Sequence, residues 1–246
     1  MVTPAEDDLM ELFGELRPEA LQAVLEWMPK LTNDAVRKPL DRAAKRLAAS
    51  HPDQVIQTLE TGDVPVVIMT LQMVAQLAIP PFVQALGTLL EREEPEVRKE
   101  AVSALAATGS PGAMRELEKA IDDAERDVRV IAVKALSEKG HQAAFSKIEA
   151  AVMGKGLRGA DLTEKTVFYE AYGLMAGDDG VARLRPMLET KGLLRRKGDA
   201  ETRACVAMAL GKIGGEEAKG VLEQAAAEEK DVLVKNAINR ALREIG

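Results

Sequence analysis

The sequence predicts an all-α fold, a right-handed α-solenoid of about seven two-helix repeats. Three observations predict it. Aromatic residues are few (one Trp, two Tyr and four Phe in 246 residues) while 46% of the chain is apolar. That balance favours helices packed on small side chains over a β-sandwich or barrel. Next, VRKEAVSALAATGSPGA (97–113) returns as VRVIAVKALSEKGHQAA (128–144), so the same residue types recur 31 positions apart. Finally, with Arg98 as position zero, apolar residues fall at −1, +3, +4 and +7, which is one stripe of a helix.

Extended in both directions, the register places the equivalents of Arg98 at Arg37, Val67, Arg129, Val167, Arg203 and Lys235. The elements then follow in order. An N-terminal cap helix spans about 5–16. The repeats are expected at about 18–49, 52–78, 80–108, 111–139, 141–177, 178–214 and 215–246, as a single array. In the third, Phe82–Leu90 and Glu96–Ala107 are the two helices. Gly109-Ser110-Pro111 breaks the chain, with Gly past one helix and Pro in the first turn of the next. One such pair cannot bury its stripe alone, and stacked neighbours can.

Val64–Leu90 carries no charge and is long enough to span a bilayer. The repeat register instead divides it into two helices around Pro80-Pro81. The start, MVTPAEDDLMELFGEL, lacks the basic-then-apolar order of a secretory signal. With one cysteine, an internal disulfide framework and a cysteine zinc site are excluded. These readings give a cytoplasmic chain without a membrane span.

The run (D)VRxxAVxALxxxG(S)PxA resembles the HEAT repeat, specifically the short bacterial type also found in phycobilin lyase subunits. The resemblance covers about residues 18–246 and is weakest in VRKPLDRAA (36–44) and VVIMTLQMV (66–74). It implies a curved array with the second helix of each pair lining the concave side. HEAT repeats often carry an Asp six residues before the Arg as an inter-repeat ladder. Asp123 and Arg129 keep that pair, whereas the sixth unit has Lys197.

Catalytic readings find little support. His51 and His141 are the only histidines, and neither has metal-ligand spacing. The HEAT-repeat deoxyhypusine hydroxylases need several His-Glu pairs, so that activity is excluded. P-loop and HExxH motifs are missing. Cys205, at offset +2 of the sixth unit, reads as a small helix residue rather than a reactive thiol. No cofactor, metal or enzymatic activity is expected. The charge runs EREEPEVRKE (91–100) and DDAERD (122–127) read as helix-start acids.

Two features stand out. Two adjacent units are longer than the others, in GKGLRGADLTEKT (154–166) and TKGLLRRKGDAET (190–202). Equivalent loops of adjacent repeats share one edge, which would bring together Lys155, Arg158, Lys191, Arg195, Arg196 and Lys197 to hold carboxylates or phosphates. The second feature is KTVFYEAYGLM (165–175). Counted from Val167, Tyr169 and Tyr172 fall at +2 and +5, opposite the core stripe. Ile131 and Lys134 precede them at these offsets, and Cys205 and Met208 follow. The expectation is an exposed apolar strip of Ile131, Tyr169, Tyr172 and Met208 beside the basic edge, unless the inserted loops cover it. Ile68, Met69 and Gln72 form a weaker patch suited to self-association.

The sequence thus reads as a non-enzymatic scaffold binding a protein segment, with acidic groups, on the concave face of repeats four to six. The alternative is a nucleic-acid binder like the HEAT-like DNA glycosylases, with tyrosines stacking on bases. A formal net charge of −7 argues against it, because counterion release needs clustered Lys and Arg. A phycobilin-lyase-like subunit is a third reading.

Overall fold

The computed structural model describes residues 6–189 and 199–246, and among these the secondary structure is helical. The chain divides into two compact units, Met1–Ala120 and Ile121–Gly246.

The first unit opens with α1 (Glu6–Gly14). Three helix pairs follow: α2 (Leu21–Trp27) with α3 (Asp34–Ser50), α4 (Pro52–Thr61) with α5 (Val64–Leu77), and α6 (Val83–Leu89) with α7 (Pro95–Thr108). The unit ends with α8 (Pro111–Leu117). Leu21, Leu25, Leu59, Leu71, Phe82, Leu86, Leu105 and Leu117 are its largest fully buried side chains. The uncharged stretch is two helices, α5 and α6, separated by a left-handed Ala78 and a 3-10 turn at Pro80–Phe82. No described helix is long and apolar enough to cross a membrane.

The second unit contains α9 (Arg126–Glu138), then α10 (Phe145–Met153) with α11 (Leu162–Ala176), α12 (Asp179–Leu188) with α13 (Ala200–Ile213), and α14 (Gly215–Glu228) with α15 (Val232–Ile245). The helices α9, α11, α13 and α15 pack side by side in chain order. This stacking of equivalent helices makes the second unit an α-solenoid. α13 is the most enclosed, with every residue from Arg203 to Gly211 buried. Its small residues, such as Ala204, Ala207, Ala209 and Gly211, allow neighbours on both sides to approach closely. A Cβ on Gly173 of α11 would lie 2.3 Å from the Ala209 carbonyl oxygen, and one on Gly211 would lie 2.8 Å from Ala241 Cβ of α15.

The second helices start the same way. Asn33, Asp63, Asp161, Asp199 and Asp231 each accept a backbone N–H at the first turn of α3, α5, α11, α13 and α15. Such caps satisfy amides that helix geometry leaves open. Glu94 and Glu125 occupy the same position before α7 and α9, without a side-chain cap bond.

Candidate functional site

The cap residues fix the register of each repeat. In every second helix the residue four positions after the cap is the equivalent of Arg98: Arg37, Val67, Arg98, Arg129, Arg203 and Lys235. After Asp161 this position is Lys165, not Val167. The sequence register of the fifth unit is therefore displaced by two residues, and correcting it moves both tyrosines to core offsets, +4 and +7.

Their burial agrees. Tyr169 is 3% exposed and Tyr172 is completely buried, so neither contributes to an exposed strip. Tyr172 stacks on Phe145 of α10, with ring centroids 5.6 Å apart. Tyr169 forms part of the wall of a cleft of about 210 Å³ together with Leu157, Arg158, Lys165, Met187 and Asp199. Burial pushes both phenols above their ordinary range. Met208 and Cys205 keep their predicted offsets and are nonetheless buried, at 7% and 1% exposure. Here α11 and α15 close on α13 through Gly173 and Gly211, which covers the face that offsets +2 and +5 would otherwise expose.

Of the predicted strip, Ile131 stays half-buried and Lys134 exposed on α9. On α11 the residues that occupy offsets +2 and +5 are Val167 and Glu170, both half-buried, and Leu174 at +9 is 49% exposed. Sequence reasoning missed these three because of the register displacement. The signal that finds them is Asp161, an acid four residues before a basic residue, as in the units on either side.

Lys155 and Arg158 are exposed on the loop between α10 and α11. Lys191, Arg195, Arg196 and Lys197 lie outside the described residues. In the first unit, Ile68 and Met69 are half-buried on α5 and Gln72 is exposed.

The ladder between repeats also differs from expectation. Arg129 donates through Nη1 to the carbonyl oxygens of Asp123 and Ala124, and Arg98 does the same to Arg92 and Glu93. The position-zero arginine thus ties down the turn before its own helix. Rungs to the next repeat use glutamates: Arg129 to Glu164 at 2.6 Å, Lys165 to Glu201 at 2.8 Å, and Arg203 to Glu229 at 3.1 Å. The hydrogen bond to Glu164 raises the Arg129 pKa, and that to Glu201 raises the Lys165 pKa.

Among the described residues no group of three or more His, Cys, Asp and Glu side chains is placed to hold a metal ion. Cys205 lies 3.6 Å from the Thr166 hydroxyl, and burial pushes its thiol up. A buried thiol held protonated is a poor nucleophile.

A family model for HEAT repeats matches residues 52–137. This segment consists of HEAT repeats. It runs from α4 to α9 and contains the two strongest sequence matches, around Arg98 and Arg129. No curated protein matches the chain. Among solved structures, an engineered protein is similar at 22% identity, with a TM-score of 0.49 over 98% of this chain and 73% of that one. Human deoxyhypusine hydroxylase in complex with glycerol aligns at 16% identity and a TM-score of 0.40, covering 93% of this chain and 96% of that one. A designed armadillo repeat protein in complex with the peptide (KR)4 aligns at 18% identity and a TM-score of 0.36, covering 92% and 99%.

Proposed function

We propose that the chain is a non-enzymatic scaffold that binds a protein segment across α9 and α11. One observation carries this reading. Ile131 and Val167 sit half-exposed at the same offset of adjacent helices, and Leu174 is 49% exposed on the same helix as Val167. Around them Lys134, Glu138 and Glu170 supply a charged border. An apolar centre with a polar rim is the usual anatomy of a contact surface. Exposed Lys155 and Arg158 supply basic groups for acidic residues of the bound segment.

The HEAT repeats support the same reading, since stacked helix pairs present an extended face built from one position of each repeat. The tyrosines are support for that face rather than contacts on it. The decisive variant is Ile131→Asp combined with Leu174→Asp. Wild-type protein should capture a partner from source-cell lysate, and the double variant, with unchanged helicity by circular dichroism, should not. Undiminished capture by the variant would refute this site. Recovery of nucleic acid instead, lost steeply with salt, would replace the protein ligand with a phosphate-bearing one.

A further inference from the structure

We infer that the cleft between the α10–α11 loop and the start of α13 binds a small monocarboxylate with an apolar body. The site lies within the second unit, is separate from the α9–α11 face and needs no partner protein. Its volume is about 210 Å³, which at interior packing density holds roughly eight to ten non-hydrogen atoms. A nucleotide or a peptide helix is too large for it, and a compact ligand fits. The observation that points to a ligand is Tyr169, which lines the cleft and is 3% exposed. Its hydroxyl has no hydrogen-bond partner among the described residues. Tyr172 buries its hydroxyl fully, whereas Tyr169 borders open volume, where a ligand oxygen can accept from it.

The rest of the wall selects an acceptor that carries negative charge. Burial pushes the Tyr169 phenol above its ordinary range, so it stays a donor. Arg158 lines the same cleft, and its guanidinium has no ion-pair or hydrogen-bond partner among the described residues. Lys165, 8% exposed, gives one N–H to Glu201 at 2.8 Å and keeps the others. The acid in the wall, Asp199, is already occupied: it accepts the Thr202 amide at 2.6 Å and the Thr202 hydroxyl. Two cations and a phenol thus face one committed carboxylate. That set suits a ligand carboxylate paired with Arg158 and accepting from Tyr169. Leu157, Met153 and Met187 complete the wall. They offer apolar and thioether surface for the body of the ligand.

The test is calorimetric titration of the full chain with hexanoate and benzoate, beside hexanamide and inorganic phosphate. The two carboxylates should bind with a Kd below about 1 mM. Hexanamide and phosphate should each bind at least about tenfold more weakly. Tyr169→Phe, which keeps the buried ring, should weaken the carboxylates about fivefold, and Arg158→Gln about tenfold. Lys155→Gln, on the same loop but outside the cleft wall, should leave binding unchanged. Arg158 and Lys155 are exposed, so their comparison stands even where Tyr169→Phe loosens the fold. No binding of either carboxylate at about 10 mM would overturn the inference. So would equal binding of hexanamide or phosphate. An equal loss in Lys155→Gln would also end it, by reducing the site to diffuse attraction from the loop. None of these outcomes bears on partner capture through Ile131 and Leu174.

Discussion

The Tyr172 hydroxyl is buried without a hydrogen-bond partner among the described residues. A buried polar group without a partner loses its water and gains nothing in return. Tyr172→Phe keeps the stack on Phe145 and removes only that hydroxyl. It should leave the melting temperature unchanged or raise it, with a gain of up to about 1 kcal/mol. Tyr172→Ala, which empties the aromatic volume, should cost about 3–5 kcal/mol. Were Tyr172 a surface contact, neither substitution would move the melt. Cys205 offers a second residue-scale check, because the thiol is 1% exposed and burial raises its pKa. Iodoacetamide at pH 8 should modify it at least roughly a hundredfold more slowly than a free thiol, with full reactivity in denaturant.

At the scale of the helix, the same substitution should have opposite signs at two glycines. Gly173 of α11 faces α13 so closely that a Cβ would lie 2.3 Å from the Ala209 carbonyl oxygen, a backbone atom that cannot rotate away. Gly173→Ala should therefore separate α11 from α13 and destabilise by roughly 1–3 kcal/mol in chemical denaturation. Gly220 lies inside α14 with nothing within 4 Å of the added carbon. There Gly→Ala should stabilise by about 0.5–1 kcal/mol, because a helix interior favours Ala. This contrast also marks what the sequence can tell. Helix positions were legible in the third repeat: the expected 82–90 and 96–107 are α6 and α7 within a residue or two. Rotation about the axis was legible where Val, Arg and Ala-Val repeat their spacing. It was not legible in α11, where aromatics replace those residues and an insertion breaks the count. The cap at Asp161 recovers the register, because a carboxylate accepting the first-turn amides has one place to be. Close approach at Gly173 and Gly211 was not legible at all, since a glycine in a helix looks the same whether or not a neighbour presses on it.

The whole molecule offers two independent reporters: Trp27 is its only tryptophan and Cys205 its only cysteine, one in each compact unit. They allow the rungs of the second unit to be tested apart from the first. Arg203 and Glu229 are 5% and 4% exposed at their side chains, the most enclosed rung of the three. Burial alone would raise the Glu229 pKa. The backbone amides of Asp231 and Lys230 and the Arg203 guanidinium outweigh it and hold the group below its ordinary value. A depressed carboxylate contributes its stabilisation above the unfolded pKa of about 4.3, and loses it as pH falls through the lower folded value. The second unit should consequently loosen in acid below about pH 4. At pH 7 Glu229→Gln removes this carboxylate from the buried Arg203 guanidinium, a change that costs about 3 kcal/mol. The expected signature is faster alkylation of Cys205 by about two decades, with Trp27 emission unchanged. Slow alkylation in the variant would mean that the backbone amides and packing around α13 hold the second unit without this ion pair.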